Sequence, residues 1–389
     1  MVRCEKCGSP IRDGALACEQ CGAKARQPYA TAGWTPPKEM TAPEQGARVQ
    51  RLDTSGRQPP AGAEKQVNPF VRNALGFIVL GSFLCSALAL GALSSPNFFT
   101  LQNWYNILRV FCYQGIIALG AALAARLRGP DLSMGSMMAL ASVLIAMPVA
   151  AGRSALEGIA VAVLVCAVWG LVNGALVSFL RAPAALVTII VSVLARSLSL
   201  SAGEGIPVSI SGSGLMGLDG TWLSGAIPAF SLSLLFLCAG IAVLALWFTG
   251  RLTGRKAQAS VPWKPATMLG YGFVAILSAA AGLVTLASVG AASPATGRDM
   301  EVNILFFFAA VQSSRLLDNG LAALGYALAA AFVWTVVNTS MTFLRVAAGF
   351  QTIALSAMAL ALLVVACCAR GGYRRIRPGQ DRGLFGYEA

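Results

Sequence analysis

The sequence predicts an all-α polytopic membrane protein with about 10 transmembrane helices (8–10), preceded by a small cysteine-rich domain. The prediction rests on the composition, on long apolar segments and on the spacing of the first four cysteines. Of the 389 residues, 56% are hydrophobic and only 12% are charged, and the mean hydropathy is +0.68. Because soluble domains carry roughly 25% charged residues, a soluble enzyme is not expected.

The residue inventory excludes several kinds of enzyme. The chain contains no His, so it lacks Ser-His-Asp triads, His-activated Cys nucleophiles and His-ligated metal centres. It also lacks the Gly-x-x-x-x-Gly-Lys-Ser/Thr loop that binds nucleoside triphosphates. We therefore predict that this chain is not an enzyme and has no ATPase motif of its own.

The chain divides near residue 73, where its charge density changes. Residues 1–73 contain 11 of the 29 Lys and Arg residues and 7 of the 16 Asp and Glu residues. The linker that ends this part is rich in Pro, Gly, Ala and Gln. It has too little apolar surface to bury, so folding could not offset the entropy lost on ordering the linker. The predicted parts are a zinc ribbon at 1–24, a flexible linker at 25–73, a transmembrane domain at 74–370 and a basic cytoplasmic tail at 371–389.

Ten apolar segments follow the linker, and each is a candidate transmembrane helix because about 20 helical residues cross the ~30 Å hydrocarbon core. The eighth segment is short and is a candidate re-entrant helix. The second and fifth segments carry Arg109 and Arg196. The segments are 74–94, 107–125, 134–151, 158–180, 182–202, 226–249, 267–290, 301–314, 320–343 and 346–369.

The loops predict a multi-pass protein of the cell membrane with both termini in the cytoplasm, since Lys and Arg near span ends favour that side. The loop 203–225 contains no Lys or Arg, so we expect it outside, after five spans. Two cytoplasmic termini require an even number of spans, which is ten, or eight if two weak segments are re-entrant. The basic regions expected inside are residues 1–73, the loop 251–265 and the tail from Arg370 to Arg382.

Two Cys-x-x-Cys-Gly knuckles, separated by ten residues, predict a structural zinc site. Four thiolates complete a tetrahedral site, and the Gly after each pair permits a tight turn. The alternatives are disulfides, which are disfavoured in a cytoplasmic segment, or redox pairs, which need a strand–helix context. The cysteine-rich head, residues 1–24, resembles the small zinc-ribbon module of many bacterial membrane proteins. This resemblance implies a folding or docking role. The cysteines are Cys4, Cys7, Cys18 and Cys21.

The membrane part carries a second set of motifs. An Asp-Leu-Ser-x-Gly-Ser turn, Asp131 to Ser136, precedes a Gly-x-x-Asn-Gly segment, Gly170 to Gly174. These motifs, in this order, resemble those of the permease subunits of ribose-type sugar ABC importers, the branch that also includes branched-chain amino-acid permeases. The resemblance covers residues 70–370 and is most specific at the Asp131 turn.

This resemblance implies a transmembrane permease subunit of an ABC transporter that imports a sugar or a similar small polar solute. It implies four partners: a cytoplasmic ABC ATPase subunit, an extracytoplasmic solute-binding protein, a second permease chain and the lipid bilayer. A nucleic-acid partner is not expected, because the positive-inside rule already accounts for the basic residues.

Five polar residues are candidates for the substrate pathway. Gly129, Pro130 and Gly135 interrupt a hydrophobic region, and a broken helix is tolerated in a membrane only where protein or water receives the freed backbone groups. The alternative for Asp131 and Ser133 is a cap at the start of a helix. The pathway candidates are Asp131, Ser133, Ser136, Asn173 and Arg196.

Two of these candidates have a structural alternative of another kind. Asn173 lies between two glycines, a pattern that favours a polar contact between closely packed helices over contact with the substrate. Arg196 lies deep in an apolar segment, where a charge is costly. It is therefore a candidate either for the pathway or for an ion pair with an acid such as Glu204 or Glu301.

The cytoplasmic loop before the seventh span departs from the family pattern. By resemblance, Gly254, Arg255 and Lys256 are candidates for coupling to the ATPase, yet the loop is shorter than that of the family. A second class of function therefore stays open, a transport-inactive permease-like scaffold or sensor that recruits a cytoplasmic partner through its zinc ribbon. The retained membrane motifs favour transport.

Overall fold

The computed structural model describes residues 2–3, 10–11, 69–127, 129–210, 229–249, 263–298, 300–313 and 319–374. The chain separates into two units, residues 1–65 and 66–389. The described part of the second unit contains α1 (Pro69–Ser94), α2 (Leu101–Arg126), α3 (Met134–Ala150), α4 (Ala155–Ser178), α5 (Ala184–Ala202), α6 (Ala229–Phe248), α7 (Trp263–Val289), α8 (Met300–Ser313), α9 (Gly320–Phe343) and α10 (Ala348–Arg374).

The helices confirm the predicted helical membrane domain, because each coincides with one of the ten apolar segments. Eight of them are long and apolar enough to cross a membrane. The other two are α3, with 17 residues, and α8, with 14 residues. Their shortness has a structural cause, since each is preceded by non-helical residues inside the bundle.

In the described part of the chain, four short strands form two antiparallel pairs. In the first unit, β1 (Val2–Arg3) pairs with β2 (Pro10–Ile11). In the second unit, β3 (Val208–Ser209) pairs with β4 (Ala291–Ala292). Because β3 follows α5 and β4 follows α7, these two helices end on the same side of the bundle.

Among the eight long helices, three lie at the centre of the bundle. Buried positions make up 67–72% of the most apolar stretches of α2, α7 and α9, but only 17–39% of those of α1, α4, α5, α6 and α10. The exposed positions of the outer helices are largely Leu, Ile, Val and Phe. Such a surface is stable against lipid and not against water.

Glycines on α4 allow it to lie directly against α7. A Cβ atom at Gly170 would lie 2.5 Å from the carbonyl oxygen of Tyr271, and one at Gly174 would lie 2.5 Å from the Cα of Met268. The two contacts run in opposite directions along the helices, so α4 and α7 are antiparallel. They agree with the expectation that the Gly-x-x-Asn-Gly segment serves close helix packing.

The chain alternates direction through the bundle. The Leu132 N–H donates to Thr188 Oγ1 and the hydroxyls of Ser136 and Ser192 lie 2.7 Å apart, so α3 and α5 run in parallel. The helix between them, α4, runs back. In the other half, α8 ends at Ser313, against Gly76 near the start of α1, so it runs back from the end of α7. The two short helices, α3 and α8, thus take part in this alternation of direction.

The two halves of the bundle repeat one arrangement in opposite directions. In the first half, α3 packs on α4 and α5 and also on α7. In the second half, α8 packs on α9 and α10 and also on α2. Likewise, α4 packs on α7 and α9 on α2. The short helix is third in each set of five, an arrangement typical of membrane proteins built from inverted repeats.

Candidate functional site

The non-helical residues before α3 form a polar turn buried in the bundle. Asp131 Oδ1 accepts hydrogen bonds from the backbone N–H of Ser133, at 2.9 Å, and from its hydroxyl, at 2.6 Å. Ser133 is the amino-terminal cap of α3, and its carbonyl accepts from the N–H of Met137. Both side chains are 1% exposed. The turn therefore satisfies donors that the start of a helix leaves without partners.

Three other helices hold this turn in place. Asn173 of α4 donates from Nδ2 to Ser133 Oγ at 3.1 Å, and Thr188 of α5 accepts from the N–H of Leu132. Tyr271 of α7 donates its hydroxyl to the carbonyl of Gly129 at 3.1 Å. The Asp131 turn, defined as residues 129–136, is thus a polar junction of α3, α4, α5 and α7.

Four of the five predicted pathway residues meet at this junction. Asp131, Ser133 and Asn173 are linked by hydrogen bonds, and Ser136 lies one turn further along α3, against Ser192. Their bonding groups are largely directed at each other. Asp131 accepts from the N–H of Ser133 at the start of α3, whereas the Ser133 side chain donates to Asp131 and makes no capping hydrogen bond to the helix.

The second non-helical segment lies before α8 and meets the first. Gly297 has a φ of 69°, and its carbonyl would lie 2.7 Å from a Cβ atom at Gly135. Met300, the first residue of α8, also lies against Gly135. Only glycine permits both the left-handed backbone and this approach of two main chains. The two short helices therefore begin next to each other.

This meeting point lies near the middle of the bundle's depth. Met134, the first residue of α3, and Val274 both lie against Gly120 of α2. Val274 is in the central part of α7, which spans Trp263–Val289. Two helices that begin halfway through a membrane are typical of transporter sites, where broken helices line the path of a solute.

Arg196 of α5 binds the backbone of the second segment. Its guanidinium donates to the carbonyls of Pro294 at 2.9 Å, Thr296 at 2.6 Å and Gly297 at 3.0 Å. Among the described residues, Arg196 forms no ion pair with Glu204 or Glu301. In place of these two acids, the described partners of the guanidinium are the carbonyls of a non-helical segment.

A charged face opens beside this segment. Arg298 is exposed, Glu301 and Val302 are half-buried, and Leu305 is 42% exposed. The last three lie on one side of α8, because residues three and four apart share a helix face. We call Arg298, Glu301, Val302 and Leu305 the lateral face. In the described part of the chain, neither Arg298 nor Glu301 forms an ion pair.

An amide pair joins the first turn of α8 to α2. Asn303 donates from Nδ2 to Gln114 Oε1 at 3.2 Å, and Gln114 is 6% exposed. The sequence did not single out Arg298, Asn303 or Gln114. A signal was nevertheless present, since Gly297-Arg298-Asp299 repeats the Gly-x-Asp order of Gly129-Pro130-Asp131 ahead of the short helix in each half.

Two sets of predicted site residues lie outside the described residues. One is the zinc set, Cys4, Cys7, Cys18 and Cys21, and the other is the coupling set, Gly254, Arg255 and Lys256. Among the described residues there is no group of three or more Cys, Asp or Glu residues that could hold a metal ion.

Comparison with known proteins shows which proteins this chain resembles. Residues 103–260 match the family described as branched-chain amino acid transport system / permease component. The chain is 28% identical to the ribose import permease protein RbsC of Escherichia coli over 291 residues, which cover 72% of this chain and 89% of that protein. The chain is a permease subunit of an ABC transporter. This permease is a multi-pass protein of the cell membrane.

Further relatives extend the similarity. The permease is 26% identical to the ribose import permease protein RbsC of Haemophilus influenzae over 317 residues, 77% of this chain and 93% of that one. It is 27% identical to the autoinducer 2 import system permease protein LsrC of Yersinia pseudotuberculosis over 301 residues, 73% of this chain and 83% of that one. No solved structure matches the permease.

Proposed function

We propose that the permease imports a sugar or a similar small polar solute, and that the solute passes along the lateral face. The observation that carries this proposal is the meeting of two broken helices midway through the bundle, beside Arg298 and Glu301. Charged side chains at this depth are costly against lipid and normally face protein or a water-filled cavity. The names of the relatives, ribose import and autoinducer 2 import permeases, support a small polar cargo.

The second permease chain supplies the other wall of this path. Within one chain, the lateral face opens to the outside of the bundle at the depth of the hydrocarbon core. A second copy, or a sister chain, placed on this face would shield Arg298 and Glu301 from lipid and enclose water between the two chains. Charges of both signs on one face allow a two-fold copy to place unlike charges together.

The distribution of basic residues supports cytoplasmic termini. The side on which α1 begins and α2 ends carries Arg126 and Arg181, as well as the loop with Arg251, Arg255 and Lys256. The opposite side carries Arg153, paired with Glu157, and Arg345. The positive-inside rule then places the cytoplasmic ATPase on the first side and the solute-binding protein on the other.

Neutralising the lateral face is expected to impair uptake. Replacing Glu301 with Gln, or Arg298 with Gln, removes a charge from the solute path while preserving size. We expect a decrease in uptake of about tenfold for each variant, an activation difference of about 1.4 kcal/mol. Uptake is measured in host cells that lack the native gene. The control is Glu157→Gln at the exposed Arg153 pair; equal uptake by all three variants would contradict the role of the face.

The head is proposed to bind one structural zinc ion. The four thiols are a suitable donor set for zinc, and the pairing of β1 with β2 brings residues 3 and 10 together on either side of the first Cys-x-x-Cys. We expect one zinc per purified chain by elemental analysis. Replacing Cys4 or Cys18 with Ser should release it, whereas replacing Cys85 with Ser should not. Retention of zinc in the Cys4 and Cys18 variants would contradict this assignment.

The uptake experiment that tests the whole proposal uses radiolabelled ribose as the probe. Host cells lacking the native chain are complemented with the full-length permease, and uptake is followed with and without an excess of unlabelled pentoses and hexoses. Restoration of saturable uptake supports import. Two results together would contradict import and support the scaffold function instead. No sugar would be taken up, and a cytoplasmic protein would co-purify with the parent chain but not with the Cys4→Ser variant.

A further inference from the structure

The segment between β4 and α8 has carbonyl groups that no helix satisfies. Turn hydrogen bonds join Thr296 N–H to Ser293, Arg298 N–H to Ala295 and Met300 N–H to Gly297. The carbonyls of Pro294 and Thr296 accept none of these turn hydrogen bonds. An unsatisfied backbone group at membrane depth costs several kcal/mol, so a segment of this kind persists only with a partner from elsewhere in the protein.

Arg196 is that partner. One guanidinium nitrogen, Nη1, reaches the carbonyls of both Pro294 and Thr296, and the other, Nη2, reaches Gly297. A planar guanidinium presents its donors in a fixed fork, so it can hold acceptors on several residues in one geometry. Arg196 comes six residues before the end of α5, and a charge in such an apolar helix is retained only if it is well bonded.

The bonded segment determines where α8 begins. Gly297, whose carbonyl Arg196 holds, lies against Gly135 of α3 and is three residues from Met300, the first residue of α8. Within the next turn, α8 carries Glu301 of the lateral face and Asn303, which bonds Gln114. A shift of residues 294–297 would therefore displace both groups.

We propose that Arg196 is a positioning residue, which fixes the start of α8 and with it the lateral face, and that it does not bind the solute. Its donors are directed at main-chain carbonyls of its own chain. The proposal rests on the proposed function only in naming the lateral face as the solute path. The placement of the segment by Arg196 is independent of what the permease carries.

The test uses Thr296→Cys as a local reporter, since Thr296 is a half-buried residue inside the segment. The full chain is labelled in membranes with a water-soluble maleimide, and the labelled peptide is quantified by mass spectrometry. Adding Arg196→Gln is expected to raise the labelling rate at position 296 about tenfold, which corresponds to a change of about 1.4 kcal/mol in the free energy of exposing the segment. The matched control is Ser197→Ala, an exposed neighbour on α5, which should leave the rate unchanged.

Uptake kinetics separate positioning from solute binding. A positioning role predicts that Arg196→Gln lowers the maximal uptake rate and leaves KM within about twofold, because the bound solute loses no direct contact. An unchanged labelling rate together with a more than tenfold rise in KM would overturn the proposal and make Arg196 a solute ligand. Failure of ribose uptake in the parent chain would reject the cargo, but would leave the labelling result intact.

Arg196→Lys keeps the test decisive if the Gln variant does not accumulate in the membrane. Lys retains the charge, but its single nitrogen cannot reach all three carbonyls that two guanidinium nitrogens hold. Labelling of the reporter thiol at position 296 should then be faster than in the parent and slower than in the Gln variant. A rate equal to that of the parent would contradict the positioning role.

Discussion

Replacing Gly170 with Leu is expected to abolish the folded permease, whereas the same substitution at Gly240 is expected to be tolerated. A Cβ atom at Gly170 would lie 2.5 Å from the Tyr271 carbonyl oxygen and 2.6 Å from the Ala275 Cβ. These neighbours are main chain or rigid, so α4 must move away from α7. Overpacking by single methylenes already costs about 1–3 kcal/mol, and a Leu side chain against a helix backbone should exceed that range.

The measurement is the melting temperature and the elution profile of the purified chain in detergent. Gly240 lies on α6 with no heavy atom within 4 Å of an added Cβ, so Gly240→Leu controls for the effect of added hydrophobic volume. We expect aggregated or absent Gly170→Leu protein beside a normal Gly240→Leu peak. Two equal profiles would show that α4 and α7 do not make this contact.

Replacing Asp131 with Ala is expected to destabilise the permease and to lower uptake more than tenfold. The substitution leaves the N–H and the hydroxyl of Ser133 without their acceptor in a site that is almost fully buried. Each buried donor that loses its partner costs about 1–3 kcal/mol. The Asp131 turn also joins four helices through Asn173, Thr188 and Tyr271, so its loss should affect the whole junction.

Asp131→Asn separates the hydrogen bond from the charge. The Asn side chain keeps an Oδ1 acceptor for Ser133 but carries no charge. If the turn acts as a clasp, Asp131→Asn should melt close to the parent while Asp131→Ala melts well below it. A parental melting temperature for Asp131→Ala would contradict the clasp. Normal stability with lost uptake in Asp131→Asn would instead give the charge a role in transport.

The sequence predicts the existence of the helices well because apolar length alone determines it. The predicted and observed spans of the ninth helix agree at both ends, 320–343. The start of α2 is missed, since hydropathy places it at residue 107 and the helix begins at Leu101. Residues 102–105, which include Trp104 and Tyr105, are polar or amphipathic, and such residues suit the membrane interface, where hydropathy is a weak guide.

The partners of polar residues are harder to predict, because they depend on contacts far apart in sequence. Arg196 is recognisable as a costly charge in an apolar helix, but its carbonyl acceptors lie about 100 residues away along the chain. Main-chain carbonyls leave no residue-type signature, so Glu204 or Glu301 was the natural expectation. The carbonyl partners become visible only in the tertiary structure.

The Asp131 junction was partly predictable. Gly and Pro within an apolar region indicate a broken helix, and Ser133 at its start indicates a cap. The correspondence between the two halves is visible only in the fold, because α3 and α8 share little beyond their short length and the Gly-x-Asp sequence that precedes each of them. In the folded chain, α3 and α8 are each the third helix of their half, and this shared position indicates the site.

The central claim, that a water-filled solute path follows the lateral face, is tested most directly by thiol reactivity at matched positions. Leu305→Cys places a thiol on the lateral face, and Leu237→Cys places one on the exposed side of α6; the native side chains are 42% and 59% exposed. Thiols react as thiolates, which need water or a polar environment. In membranes of cells that assemble the transporter, we predict that a small water-soluble reagent rapidly labels the thiol at position 305, that transported sugar slows this labelling, and that the thiol at position 237 stays unlabelled. Equal inertness of both thiols would contradict the account.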